Sequence, residues 1–250
     1  MRRTFLAAFA VASMVTVPAQ AQRQAPAEQK PYQAVAVTLP AVFADAGFET
    51  FRAELAAVAK GRVYAELARL VASHGFFWDR DFSGRFERRK PAVDNLAAAL
   101  RLEHGSGAGW QALATFATEP TAEPMPARPG IVCAPAKPAY DAIAFDRLMD
   151  ATLTKDAEWR YPRAEATPVY AGSASSRAAI DRLGQHFVRV LAPLAVENRA
   201  GTTWLQVATP LGRLGFAEPG ALVALTADRL CYGKDTVGRW QINGFVGGGD

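Results

Sequence analysis

Three histidines, two cysteines and one close carboxylate pair are the groups in this 250-residue chain whose type and spacing bear on chemistry. His74, His104 and His186 stand far apart, with no i,i+4 pair, no H-E-x-x-H and no mixed Cys–His cluster, so the spacing supports no zinc site. Asp79 and Asp81 flank Arg80 beside the aromatic run Phe76-Phe77-Trp78. Two carboxylates so placed can hold a cation or share acid–base work, but EF-hand spacing and its closing Glu are missing. An Asp–Arg pair in a solvated turn is the expected reading, with a small-ligand or enzyme pocket near Trp78, Asp79 and Asp81 kept as the alternative. Arg85, Arg88, Arg89 and Lys90 suit an anionic wall polymer or headgroup, although Glu87 among them disperses the charge as on an exposed face. Gly244–Gly249 is followed by neither lysine nor helix, and no G-x-S-x-G elbow occurs. No catalytic set, no metal site and no cofactor is expected, and the chain reads as a non-enzyme.

The cysteines have a compartment to interpret them. Arg2 and Arg3 precede an uncharged apolar run from Phe5 to Val17, then Pro18 and the small-residue pattern Ala19-Gln20-Ala21. That is a signal peptide over residues 1–21, cleaved after Ala21. The run is shorter than the roughly 20 residues a spanning helix needs, and no later stretch approaches that length, so no membrane span is expected. The paired arginines leave Sec and twin-arginine export both open. Periplasm or secretion follows as the localisation. In an oxidising compartment an even cysteine count favours a disulfide, Cys133 with Cys231. A nucleophilic Cys133 would need a neighbouring positive charge, and Ile131-Val132-Cys133-Ala134-Pro135 offers none. Losing Arg2 and Arg3 leaves 26 basic against 24 acidic residues, too balanced for a nucleic-acid partner.

The elements that must position these groups are of two kinds. Residues 22–32, rich in Gln, Ala and Pro, read as a disordered leader. A module over 33–160 opens with a short strand in Gln33–Leu39 and is otherwise mainly helical. Asp45 caps a helix carrying Phe48, Phe51, Leu55 and Val58 on one face. After Gly61 the stripe resumes at Val63, Leu67, Leu70 and Val71, with His74 at the helix end and Gly75 as its stop. Asp94 is the expected cap for Leu96 and Leu100. A further helix holds Trp110, Leu113 and Ala117, and a last one carries Phe145, Leu148 and Met149 to near Thr152. Between these, the connector 118–139 carries six prolines and reads as extended chain. From Thr167 the period falls to two: short β segments alternate with turns, as in a small barrel or sandwich. Leu205 and Val207 then face one way, Trp204 and Gln206 the other.

This second part resembles a bacterial SH3-type (SH3b) domain. The resemblance rests on Val169-Tyr170, the small-residue loop Gly172–Ser176, Ile180–Gly184, Phe187–Leu191, Trp204-Leu205-Gln206-Val207 and Pro210–Phe216, ending at Leu222. The loop Pro193–Thr202 is longer than usual, Ala217 stands where valine is common, and a hairpin, Leu230–Lys234 with Trp240–Asn243, is added. The whole chain is similar to exported bacterial SH3-containing proteins of unknown function. It carries Gly75–Trp78, Val132–Ala136, Leu230–Tyr232 and Trp240–Ile242 in common with them. The resemblance implies an α+β chain: a small helical N-terminal module, then a C-terminal SH3-like β-barrel with an added hairpin over 165–243, and a Gly-rich tail at 244–250. It also implies a binding or structural role in the cell envelope, toward peptidoglycan or an envelope protein or peptide. Tyr170, Trp204 and Phe216 are the candidate contact residues, and packing is their competing use.

Overall fold

The computed structural model describes residues 29–81, 84–102, 107–173, 178–191, 196–197, 203–218 and 220–247. The signal segment, residues 22–28 of the leader, His104 and residues 248–250 lie outside them.

The chain is α+β. Asp45 accepts the Phe48 N–H at 2.8 Å and starts α1 (Ala46–Gly61), whose Phe48, Phe51, Leu55 and Val58 are all buried. Helix α2 (Tyr64–Leu70) buries Leu67 and Leu70 but ends earlier than the stripe suggests. Val71 leaves the helix to bridge Ile242, so His74 sits in a bend beyond it and not at a helix end. In α3 (Ala92–Leu100) the cap position is Pro91; Asp94 lies in the first turn, where its carboxylate takes the Tyr64 hydroxyl instead. Helix α4 (Ala108–Thr118) buries Trp110, Leu113 and Ala117. It approaches α3 so closely that a Cβ on Gly109 would stand 2.2 Å from the Leu100 carbonyl.

These helices cover a five-stranded sheet made from both ends of the chain. Its strands are β2 (Phe77–Asp79), β3 (Glu123–Pro124), β4 (Val132–Ala134), β14 (Arg229–Lys234) and β15 (Trp240–Val246), in the order β2-β15-β14-β4-β3. The terminal hairpin therefore belongs to the helical module and not to the barrel. The reason is visible in its side chains: Leu230, Tyr232, Ile242 and Phe245 are fully buried in one cluster with Leu55, Leu67, Leu96 and Leu113. The tail is likewise structured up to Gly247, because β15 runs through Gly244. A Cβ there would meet the Phe77 ring at 2.4 Å, so glycine lets β2 pair alongside.

On the other face of this sheet, Cys133 and Cys231 are direct cross-strand partners joined in a disulfide, packed with Phe77. Arg229 locks the same crossing: it donates to the carbonyls of Pro135 (3.0 Å) and Cys133 (3.1 Å) and pairs with Glu123 at 2.7 Å. Burial lowers the guanidinium's pKa, and Glu123 opposes that shift.

A second sheet holds β6 (Trp159–Pro162), β7 (Thr167–Tyr170), β8 (Ala179–Leu183), β9 (Val188–Val190), β11 (Thr203–Ala208), β12 (Leu214–Ala217) and β13 (Leu222–Ala224). Their order is β13-β6-β9-β11-β12-β7-β8, with β10 (Val196–Glu197) pairing β11 off that path. The expected barrel is not closed: β13 and β8 remain edges. The unit also starts before residue 165, since Trp159–Pro162 pairs with both β9 and β13. Its inner face buries Val169, Leu183, Val188, Val190, Val207, Ala217 and Leu222.

Between the sheets, Phe145 and Leu148 of α5 (Ala142–Thr152) pack with Trp159, Tyr161 and Phe187. The expected strand Gln33–Leu39 shrinks to β1 (Val37–Thr38), paired with β5 (Ala139–Tyr140). The connector thus supplies three short strands, β3, β4 and β5. The leader's last residues are held, not loose. Tyr32 packs edge-on against Trp159 at 5.2 Å and donates its hydroxyl to the Ala208 carbonyl at 3.0 Å, and its N–H reaches the Pro210 carbonyl.

Two stability predictions follow from this wiring. The disulfide closes a separation of 98 residues, and the double variant Cys133→Ala/Cys231→Ala is expected to lose roughly 2–5 kcal/mol of unfolding free energy. Urea unfolding under non-reducing conditions measures it; an unchanged midpoint, or two alkylatable thiols in the unreduced protein, contradicts it. Asp45 is held down to about 2, first by the Phe48 N–H and then by Lys234 and Trp240. Its contribution is complete above the ordinary value of 3.8 and fades as pH falls through about 2. Asp45→Asn should lower Tm at neutral pH, with the gap to wild type closing across that acidic window in a pH series of melts.

Candidate functional site

Three places among the described residues gather polar or aromatic groups at the surface. The first is the outer face of the second sheet. Tyr170 on β7 and Phe216 on β12 stand directly opposite each other and are both half-buried. Trp204 on β11 meets Tyr170 edge-on, with centroids 5.7 Å apart and planes at 85°. The three sequence-predicted residues are therefore brought together, but not as equals. Trp204 is only 4% exposed, and its indole N–H is buried without a hydrogen-bond partner among the described residues. Trp204 is thus the buried member of the three, and Tyr170 and Phe216 are what the face presents.

The second place lies beside Trp78. Trp78 itself is core: it is 5% exposed, donates to the Gly247 carbonyl at 2.6 Å and packs against Phe245. The expected Asp–Arg turn is wired differently. Arg80, at φ 63°, turns away from both carboxylates and donates to the carbonyls of Thr226, Ala227 and Val246 at 3.2–3.3 Å. Asp79 pairs instead with Arg128 of the connector at 3.2 Å, and the Arg128 guanidinium lies 3.9 Å above the Phe77 ring. Asp81 accepts the Phe86 N–H at 2.6 Å. The two carboxylates thus serve separate partners and do not converge on a shared cation.

Next to them opens a cavity of about 460 Å³, lined by His74, Phe76, Asp79, Arg88, Lys90 and Arg128 among others. The basic run reaches it because buried Asn95 in α3 reads the run's backbone. Its Oδ1 takes the Glu87 N–H and its Nδ2 donates to the Glu87 carbonyl, each at 2.9 Å. Sequence reasoning missed both Arg128 and Asn95. An asparagine among the alanines and leucines of an amphipathic helix was the available signal for the second; nothing local marks the first.

The third place is a cleft of about 1120 Å³ between residues 29–38 and α5. Lys30, Tyr32, Asp141, Arg147, Leu148 and Arg189 are among its lining. Arg189 is clasped by Glu158, with Nε and Nη2 at 3.2 and 3.0 Å from one carboxylate oxygen. Burial sends the Tyr32 hydroxyl's pKa upward, so it stays a protonated donor. This cleft was not anticipated, because its walls come from a supposed leader and from a helix far along the chain.

Among the described residues no group of three His, Cys, Asp or Glu side chains is placed to hold a metal ion. His186, the one histidine in the second sheet's region, has its pKa lowered by burial, with Asp181 opposing. Both cysteines are consumed by the disulfide, so neither carries a thiol. No described helix is long and apolar enough to cross a membrane. No family model, no curated protein and no solved structure matches this chain.

Proposed function

We propose that the chain is an exported cell-envelope protein with a non-enzymatic binding or structural role, acting through residues 159–224 as an SH3-like domain. The observation that carries this reading is the aromatic face. Tyr170 and Phe216 sit opposite each other on a sheet whose inner face is a sealed aliphatic core, with buried Trp204 meeting the Tyr170 ring edge-on. Two half-exposed rings on a firm backing suit stacking against a sugar or an extended peptide, at little cost in side-chain entropy. The disulfide supports an oxidising compartment, and a Cys133 held in it has no thiolate to offer as a nucleophile.

A second reading, a carrier or enzyme for a small ligand, is favoured by the cavity beside Trp78 and Asp79. With Arg88, Lys90 and Arg128 around an aromatic wall, its chemistry suits an anionic ligand and gives no assembled catalytic set.

Sedimentation with purified peptidoglycan tests the first reading. The wild-type chain should be retained, and Tyr170→Ala with Phe216→Ala should weaken retention by roughly tenfold, as truncating aromatic anchors does. A wild-type chain left in the supernatant rejects it. Calorimetric titration with soluble muropeptides tests the second: binding heat is expected in wild type and lost in Arg88→Glu, and no heat in wild type retires the pocket.

A further inference from the structure

We infer that the cleft between residues 29–38 and α5 is a second binding site, one that takes an extended acidic peptide as an added strand. It shares no residue with the aromatic face and does not depend on that reading.

Three observations converge on this occupant. The first is an unfinished strand edge. Residues 35–37 are laced on one side to residues 185–187, with Phe187 N–H to the Val35 carbonyl and Val37 N–H to the Gln185 carbonyl, both 3.0 Å. On the other side the segment pairs with β5 for only two residues, Val37 with Tyr140 and Thr38 with Ala139. There α5 begins and the partner strand stops. Gln33 and Ala34 continue along the cleft and make no backbone hydrogen bond among the described residues. Backbone groups held in extended chain without partners are what an incoming strand pairs with.

The second is the facing wall. Ala144, Leu148 and Ala151 recur at four- and three-residue steps on one side of α5, and all three line the cleft. They are small or aliphatic, so they leave depth for the alternate side chains of a strand lying against them. Leu153, at the helix end, lies on the same wall and is 92% exposed, an apolar group left in solvent at the cleft's lip.

The third is charge. Lys30 and Arg147 line the cleft from opposite walls and make no ion pair among the described residues. Arg189 adds a third cation, already matched by Glu158. The lining holds one carboxylate, Asp141, and one of its oxygens caps α5 through the Ala144 N–H at 3.0 Å. Such a lining attracts acidic side chains or a terminal carboxylate and repels basic peptide. A strand edge fixes an extended backbone, an aliphatic wall fixes alternate apolar side chains, and two unmatched cations fix the sign of the rest.

Random octapeptides displayed on phage, selected on the purified chain starting at residue 22, test this. Selection should enrich sequences with Asp or Glu interleaved with apolar residues. A synthetic peptide of the enriched sequence should slow amide hydrogen exchange at Gln33 and Ala34. Ala151→Trp, which fills the groove from an exposed helix position, and Arg147→Glu, which reverses its charge, should each weaken that peptide's binding in fluorescence anisotropy by about tenfold or more. Melting curves matching wild type show that both variants are folded. No enrichment, enrichment of basic sequences, exchange unchanged at Gln33 and Ala34, or equal affinity for both variants each overturns the site.

Discussion

Helices α1 to α4 turn Leu55, Leu67, Leu96 and Leu113 onto a sheet of which two interior strands, β14 and β15, come last among the described residues. Until β14 and β15 arrive, that helical layer has no floor, and β4 has only two-residue β3 beside it. Burying Tyr232, Ile242 and Phe245 against the helices completes an apolar cluster that the helices fill only in part among themselves. The cost is a closure between distant parts of the chain, which grows only with the logarithm of the loop. Once made, the return is held from several sides. The disulfide and Arg229 tie β14 to the connector, while Lys234 and Trp240 both reach Asp45 at the start of α1.

That closure decides where everything else can lie. The chain must leave the first sheet at β4, build the second, and come back, so α5 and β6 become the passage between them. The packing of Phe145, Trp159 and Phe187 fills this passage, and the segment before residue 38 is drawn across its outer side by Tyr32. The cleft is what remains where that segment and α5 diverge. The smaller cavity has a parallel origin: it opens where β2, an edge strand, meets the basic run that Asn95 holds in place.

Local chemistry was legible in the sequence, and so was the one cysteine pairing, but strand partnership was not. The apolar stripe of α1 with its Asp45 cap appears as read, because spacing and capping are decided within a few residues. Strand Thr203–Ala208 falls where the alternation of Trp204 to Val207 puts it. A strand's neighbours do not follow from alternation, and the terminal hairpin, expected as an addition to the barrel, pairs in the first sheet. Strands of two and three residues, such as Glu123–Pro124 and Val132–Ala134, carry no period at all; they exist because β14 offers them a ladder. The candidate site divides in the same way. Tyr170, Trp204 and Phe216 share a face because parity is local, whereas the burial of Trp204 and the capture of Asp79 by Arg128 depend on residues remote in sequence.

Polar contacts join the two halves alongside that packing, and they shape what the surfaces can do. Glu119 at the end of α4 is 7% exposed. It is satisfied by the Thr121 N–H and hydroxyl on one oxygen and by Arg163 on the other, at 3.2 Å. Arg163 in turn holds the Gly220 carbonyl, and Arg80 holds those of Thr226 and Ala227, on either side of β13. Apolar packing alone tolerates sliding, whereas a buried carboxylate or a guanidinium aimed at particular carbonyls accepts one arrangement. These bonds fix how the second sheet is set against the helices, and with it the turn by which β13 leads into β14. The aromatic face and the cleft, which share no residue, are therefore presented by a scaffold whose register is specified at its polar seam and whose core is completed by the strands that return last.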